Sequence, residues 1–453
     1  KQDMELTRDK SFFKNFFALY VIIVLQNVIV LSVNLADNIM VGAYNETSLS
    51  GVASVNQLQF IFQQIIMGTG ETLVVMGSQY WGQKRTKPIK ALGAGALYLG
   101  LFFGLLLFAL ACVMPHSLVR VFTPHEAIIA EGVKYIEIIK YTYPIFAVTN
   151  ILLAELKSVE TVRISFYTSL MALVLNCSIN YTLIGGHFGA PSLGVRGAAI
   201  GTLVSRIAEF AVVVIYVAFF DKKLRVRFSD LLRPDGVLVA DYFKKCVYFV
   251  VVAGMFGLST ALQTVILGHM NESAIAANSV ATTLFQVLKV ASVGAASATS
   301  IVIGKTIGKG ELQKLKGYVN TLQLMFLAIG FTTSVLLFFL RFPILSLYDL
   351  SPATKKMAEQ FILVLCVTGF GTAYEMPVIT GIIRGGGDSR FVFINDLISI
   401  WGIVLPVSFC AAFVWQLPPY LIVLLLNGDQ IFKCAAAAIR VNRYHWIKKL
   451  TRE

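Results

Sequence analysis

The sequence predicts an all-α membrane protein of twelve transmembrane helices, in two six-helix bundles related by a pseudo-two-fold axis along the membrane normal. Three observations predict it. The chain is 57% hydrophobic and only 14% charged over 453 residues, whereas a soluble chain carries about a quarter charged residues. The mean hydropathy is +0.73. The charges that remain cluster between long apolar runs, and those runs follow one pattern in each half of the chain.

A helix needs about 20 apolar residues to cross the hydrocarbon core. Only helices and closed barrels satisfy every backbone group there. The runs are too long for barrel strands, so helices are expected. Apolar windows place spans near 16–42, 51–80, 89–114, 128–156, 164–185, 193–220, 242–268, 274–304, 318–341, 357–383, 391–415 and 418–440.

Lys and Arg alternate with these spans. One set of connections holds the N-terminus (Lys1, Arg8, Lys10, Lys14), Lys84 to Lys90, Lys157 with Arg163, and Lys222 through Arg233 to Lys245. Lys305 to Lys316, Arg384 with Arg390, and the tail from Arg440 to Arg452 complete it. The opposite side holds only Arg120, Arg196, Arg341, Lys355 and Lys356. Basic loops stay inside, so both termini are expected in the cytoplasm. One miscounted span would scramble the alternation, which supports twelve.

Segment 42–82 lies on 268–308 without a gap. Gly42, Asn45, Glu46, Gly68 and Gly82 fall on Gly268, Asn271, Glu272, Gly294 and Gly308. Six spans per half make both halves enter from the same side, as in parallel-repeat transporters with a site at the repeat interface near the midplane. The expected organisation is an N-terminal bundle over 1–220, a basic cytoplasmic linker over 221–245 and a C-terminal bundle over 246–453.

Several classes are excluded. The net charge of +13 sits in alternate connections, so no nucleic-acid partner is expected. Cys112, Cys177, Cys246, Cys366, Cys410 and Cys434 lie in apolar stretches without a CxxC. They read as small core hydrophobes, neither a disulfide framework nor a metal site. His116, His125, His187, His269 and His445 lie near span ends and read as surface residues. Gly385, Gly386 and Gly387 lack the spacing and the Lys-Ser/Thr of a phosphate loop, so direct ATP drive is not expected. No cluster of nucleophile, base or metal ligands appears at membrane depth, which argues against an enzyme. No cleavable signal sequence is expected.

Five motifs, in order along the chain, resemble those of the MATE family of cation-coupled antiporters. They are Leu35-Ala36-Asp37-Asn38-Ile39-Met40-Val41-Gly42 and Ser78-Gln79-Tyr80-Trp81-Gly82 (echoed by Ile303-Gly304-Lys305-Thr306-Ile307-Gly308). Leu193-Gly194-Val195-Arg196-Gly197-Ala198-Ala199-Ile200-Gly201-Thr202 follows, then Ile383-Arg384-Gly385-Gly386-Gly387-Asp388 and Trp446-Ile447-Lys448-Lys449-Leu450-Thr451. The resemblance implies two bundles around a cavity that opens alternately to each face. It also implies export of amphipathic or cationic organic compounds in exchange for protons or sodium. Members often carry a proline in mid-span 1, an Asn and an Asp one turn apart in span 5, and a glutamate in span 7. Here 16–42 has no proline, the span 5 pair is Asn176 and Asn180, and 246–268 has no acid.

The polar residues inside the spans carry the chemistry. A carboxylate in a bilayer helix costs about 2.5–3.5 kcal/mol on insertion scales and faces a cavity or a partner. Asp37 is therefore the leading coupling residue, since burial disfavours a charged carboxylate and suits proton exchange. The alternative is a solvated helix-end acid. Asn27, Asn34 and Asn38 share its arc of span 1. Asn176 and Asn180 lie one turn apart, and with Asp37 and Thr202 they form a candidate oxygen cage for sodium, because hard cations prefer oxygen ligands. The alternative is amide bonding between helices. Gln57, Gln64, Glu71 and Ser78 recur every seven residues on span 2 as a polar stripe toward the cavity or span 1, with Glu71 a rival coupling acid. Glu375, beside Tyr374 in span 10, is the candidate acid of the C-terminal half. Arg206 with Glu209, and Asp429 with Lys433, have helical spacings that read as ion pairs.

The expected cation-coupling set is thus Asp37, Asn176, Asn180, Thr202 and Glu375. The expected substrate cavity includes Asn34, Gln57, Gln64, Glu71 and Tyr374. No cofactor is expected beyond the coupling ion, H+ or Na+. The expected partners are a small organic substrate and the lipid bilayer, with the protein a monomer in a bacterial cytoplasmic membrane. The alternative function is a flippase for lipid-linked precursors. Such flippases line their cavity with arginines, whereas these spans, away from their loop-flanking ends, hold only Lys134, Lys140, Arg206, Lys289 and Lys433.

Overall fold

The computed structural model describes residues 6–232, 234–268, 272–347 and 351–452. Lys1, Arg233, His269 and Asn271, named above, lie outside the described residues. Helices dominate throughout. The first half holds α1 (Lys10–Tyr44), α2 (Glu46–Gly82), α3 (Thr86–Val113), α4 (Pro115–Arg120), α5 (Glu126–Ile139), α6 (Thr142–Ser158), α7 (Arg163–Gly185) and α8 (Val195–Ile215). A short α9 (Phe228–Leu232) follows, then α10 (Gly236–Gly268), α11 (Glu272–Lys309), α12 (Leu312–Leu347) and α13 (Pro352–Met376). The chain closes with α14 (Ser389–Asp396), α15 (Leu405–Phe413), α16 (Pro419–Leu426) and α17 (Asp429–Asn442).

Ten helical segments among the described residues are long and apolar enough to cross a membrane, and a bent pair makes another. The 33-residue α10, uncharged from Cys246 to Gly268, brings the number to twelve. The protein is therefore a multi-pass integral membrane protein. At 1.5 Å per residue, the 35 residues of α1 extend about 50 Å, well beyond the roughly 30 Å hydrocarbon core.

The sequence reads span 4 as one run over 128–156. Instead α5 and α6 meet at 54°. Pro144 explains the break. It has no N–H to donate, and its ring would clash with the carbonyl of Lys140 four residues earlier. Pro377 acts similarly at the end of α13, where the helix widens into a π-helical turn over Pro377–Ile383. A second π-helical stretch, Leu397–Val404, joins α14 to α15. Other ends follow familiar capping rules. Asn45 accepts from the backbone N–H groups of Thr47 and Ser48 at the start of α2. Gly186, at φ +74°, closes α7 in the left-handed region.

The chain packs as two compact units. One spans 25–254, and the other joins 1–24 to 255–453. In the first, α2 packs on α3, α5 and α6, and α8 packs on α5, α6 and α7. Its core includes Phe62, Tyr143 and Phe146, with Phe62 edge-on to Tyr143. In the second, α11 packs on α12 and α13, and α13 packs on α16 and α17. Its core gathers Phe285, Leu337, Phe361, Ile362 and Ile422. The start of α1 belongs to this second unit. Phe12 stacks on Tyr318 at 4.3 Å, the Tyr318 hydroxyl donates to Asp9 Oδ2 at 2.6 Å, and the Thr7 N–H donates to Thr321 Oγ1 at 3.0 Å.

Candidate functional site

The polar centre of the N-terminal unit lies where α1, α7 and α8 meet. Close approach of α7 and α8 depends on two glycines one turn apart. A Cβ on Gly197 would lie 2.7 Å from the Leu183 backbone, and one on Gly201 would lie 2.0 Å from Asn180 Oδ1. Small residues at such contacts let helix backbones approach inside a membrane. The gap above Gly201 is filled by the Asn180 side chain.

Asn180 Nδ2 then donates to Asp37 Oδ1 at 2.6 Å and lies 3.1 Å from Asn176 Oδ1. Asn176 Nδ2 donates in turn to Thr202 Oγ1 at 3.3 Å. Asn176 and Asn180 are 2% and 0% exposed, and Thr202 is 9% exposed. Asp37 is half-buried. The Asn180 Oδ1 atom is buried and has no hydrogen-bond partner. Buried amide oxygens are almost always satisfied, so this acceptor stands out as one left open. Tyr135 and Arg206 lie within electrostatic reach of Asp37. Arg206 bonds Glu209 at 2.8 Å and sits over the Phe146 ring. The structure thus brings together four residues that the sequence singles out: Asp37, Asn176, Asn180 and Thr202. Their oxygens suit a hard cation.

Other candidates are placed differently. Asn34 and Asn38 are exposed on α1. The stripe on α2 does not share one environment. Gln57 is exposed, Gln64 is half-buried, Glu71 pairs with Lys157 at 3.4 Å, and Ser78 is buried with its hydroxyl donating to Val75 O. In the C-terminal unit, the Tyr374 hydroxyl donates to Gln323 Oε1 at 2.8 Å. Glu375, one residue on, lies within electrostatic reach of Lys433 and Lys289. Lys433 bonds Asp429 at 3.0 Å, as the helical spacing predicts, and also Asp396 at 2.8 Å.

Glu155 on α6 escaped the sequence reading. It is 2% exposed and its Oε1 has no hydrogen-bond partner. Its carboxyl lies flat on Gly93, where a Cβ would come within 2.7 Å. Its position as the sole charge in the stretch 141–156 was the only available signal.

The glycine triplet also finds a role. Gly386 seats the ring of the fully buried Trp446, whose edge would meet a Cβ there at 2.1 Å. Gly387, at φ +102°, turns the chain beneath Leu450. Asp388 receives Arg440 and Lys448, and the Lys448 N–H donates to Gly386 O at 2.9 Å. Burial pushes the Asp388 carboxyl up, but Lys448 and Arg440 outweigh it and hold it below the ordinary carboxylate value. Two of the sequence motifs therefore meet as loop and tail.

Comparison with known proteins supports the same fold. The chain is 23% identical over 431 residues to a probable multidrug resistance protein NorM of Thermotoga maritima, covering 94% of this chain and 92% of that one. It is 25% identical over 409 residues to a probable multidrug resistance protein NorM of Listeria monocytogenes, with 88% of each covered. An outward-facing multidrug resistance MATE family transporter of the MOP superfamily superposes with a TM-score of 0.84 at 16% identity, over 95% of this chain and 96% of that one. A MOP superfamily transporter from Pyrococcus furiosus gives 0.85 at 16% identity, over 96% and 97%. The MatE family model matches residues 23–182 and 249–410, one stretch in each half, and so the chain belongs to the MatE family.

Proposed function

We propose that this protein is a secondary active antiporter that exports amphipathic or cationic organic compounds in exchange for H+ or Na+ by alternating access. One observation carries the reading: the Asp37 carboxylate lies 2.6 Å from Asn180 Nδ2, beside a buried Asn180 oxygen that lacks a partner. Such a site offers a proton acceptor and an oxygen set for sodium at the same point. The family, and relatives named as multidrug resistance proteins, support the direction and the kind of cargo. Charge alternation supports both termini inside, and the bacterial relatives support a cytoplasmic membrane; the protein works there as a monomer on small organic compounds.

The residues then take these roles. Asp37 loads a proton or sodium ion from outside. Asn180 orients Asp37, and Asn176 and Thr202 fix Asn180. Loading neutralises a charge whose enclosure is costly, so the loaded and empty states favour different packing of α1, α7 and α8. Coupling requires that these states differ in affinity for the ion. The flippase reading calls for several free cations, whereas Arg206 and Lys433 are each held in ion pairs.

Purified protein in sealed vesicles tests the reading. Efflux of a cationic dye should follow an imposed pH gradient, a sodium gradient or both. Efflux that ignores both gradients, or that needs ATP, contradicts it.

A further inference from the structure

The C-terminal unit buries more charge than one coupling acid requires. Glu375 on α13, Asp396 at the end of α14 and Asp429 at the start of α17 converge on Lys433, one turn along α17. Lys433 is 5% exposed, and its ammonium lies 2.8 Å from Asp396 Oδ1 and 3.0 Å from Asp429 Oδ2. Glu375 lies within electrostatic reach of the same ammonium. Lys289 on α11 brings a second ammonium within reach of Glu375 and Asp429.

Carboxylates converging from separate helices inside a membrane are the donor set of a hard-cation site. Here a cation is already seated among them, and it is the chain's own. Lys433 is covalently tethered and so cannot exchange with ions in solution. Removing one partner from such a buried pair leaves an uncompensated charge, so the ammonium and its acids hold one another in place. The N-terminal unit shows the reverse pattern. Asn180 Oδ1 has no partner, and Asp37 is held by an amide.

We propose that Lys433 permanently fills the acid cluster of the C-terminal unit, so that this unit binds no exchangeable sodium ion. Lys433 is a specificity-determining residue in this account. It replaces a mobile cation with a fixed one and leaves ion exchange to the other unit. The inference goes beyond the role given to Asp37 and does not depend on it.

Saturation binding of radioactive sodium to the purified full-length protein tests this, in wild type, Asp396→Asn, Lys433→Gln and Lys433→Ala. Asp396→Asn should leave the wild-type stoichiometry unchanged, whatever that value is. Lys433→Gln should gain one sodium ion per chain, and adding Asp396→Asn to it should remove the gain. A fall in sodium bound by a monodisperse Asp396→Asn protein overturns the proposal. So does the absence of any gain in both Lys433 variants when they are monodisperse. If neither Lys433 variant stays monodisperse, the comparison of wild type with Asp396→Asn decides alone. A wild type that binds no sodium, or whose binding is insensitive to Asp37→Asn, counts against the role of Asp37 and leaves these comparisons intact.

Discussion

Asn180 holds Asp37 through one amide hydrogen bond of 2.6 Å, while the oxygen of the same amide stays buried without a partner. The two halves of that amide have different consequences. Its nitrogen donates to the carboxylate and fixes its position. Its oxygen gains nothing until a donor or a cation arrives. The coupling ion proposed above would meet both a counter-charge and an unsatisfied ligand there.

Removing that oxygen should separate sodium from proton coupling. Asn180→Ala should weaken sodium stimulation of efflux and leave proton-driven efflux less affected. Gly201→Ala should give the same pattern with the Asn180 side chain still present, because its new Cβ would sit 2.0 Å from Asn180 Oδ1 and displace it. Forced overpacking of this kind costs about 1–3 kcal/mol, so Gly201→Ala should also lower the unfolding temperature. Initial efflux rates under separate gradients provide the check. Equal loss under both gradients in both variants would assign Asn180 a structural role.

The seat of the C-terminal tail should be sensitive to acid. Asp388 is held below its ordinary carboxylate value of 3.8 by Lys448 and Arg440, against the upward push of burial. A group lowered on folding contributes stability above its unfolded value and loses it as the pH falls through the folded value. Hydrogen exchange over residues 444–452 should therefore stay slow down to pH 3.8 and quicken below it. Asp388→Asn should show quickened exchange already at neutral pH. Gly386→Ala should do the same at a cost of about 1–3 kcal/mol, since its Cβ would overlap the buried Trp446 ring. Unchanged exchange in both variants would separate the tail from the loop.

The orientation expected from the charge count has a direct chemical test. In a cysteine-free background, a cysteine at Phe188, which is 89% exposed between α7 and α8, should react with an impermeant thiol reagent on intact cells. Cysteines at the exposed Lys87 and Lys314 should react only after permeabilisation. The opposite pattern would invert the topology.

The sequence made Asp37, Asn176, Asn180 and Thr202 legible because helical spacing puts the two amides one turn apart, and because a carboxylate in an apolar run demands a partner. The stripe on α2 was less legible for a related reason. A seven-residue period fixes a helix face but not what that face meets. Lys157 supplied a partner for Glu71, and Ser78 turned to its own backbone. Glu155 was missed because its glycine notch comes from another helix. The Asp429–Lys433 pair was readable from spacing, whereas Asp396 reaches Lys433 only through tertiary packing. The bend at Pro144 and the π-helical turns interrupt spans that hydropathy alone runs together.

The most direct test of the account is gradient-driven efflux by Asp37→Asn in reconstituted vesicles. The substitution keeps the size and polarity of the side chain and removes its titration. The protein should insert normally and should retain substrate binding, because the change leaves the packing of α7 and α8 intact. The account predicts that efflux driven by either gradient collapses to the rate seen without a gradient. Efflux at the wild-type rate, in a mutant with wild-type expression and monodispersity, would contradict the assignment of Asp37 as the coupling residue.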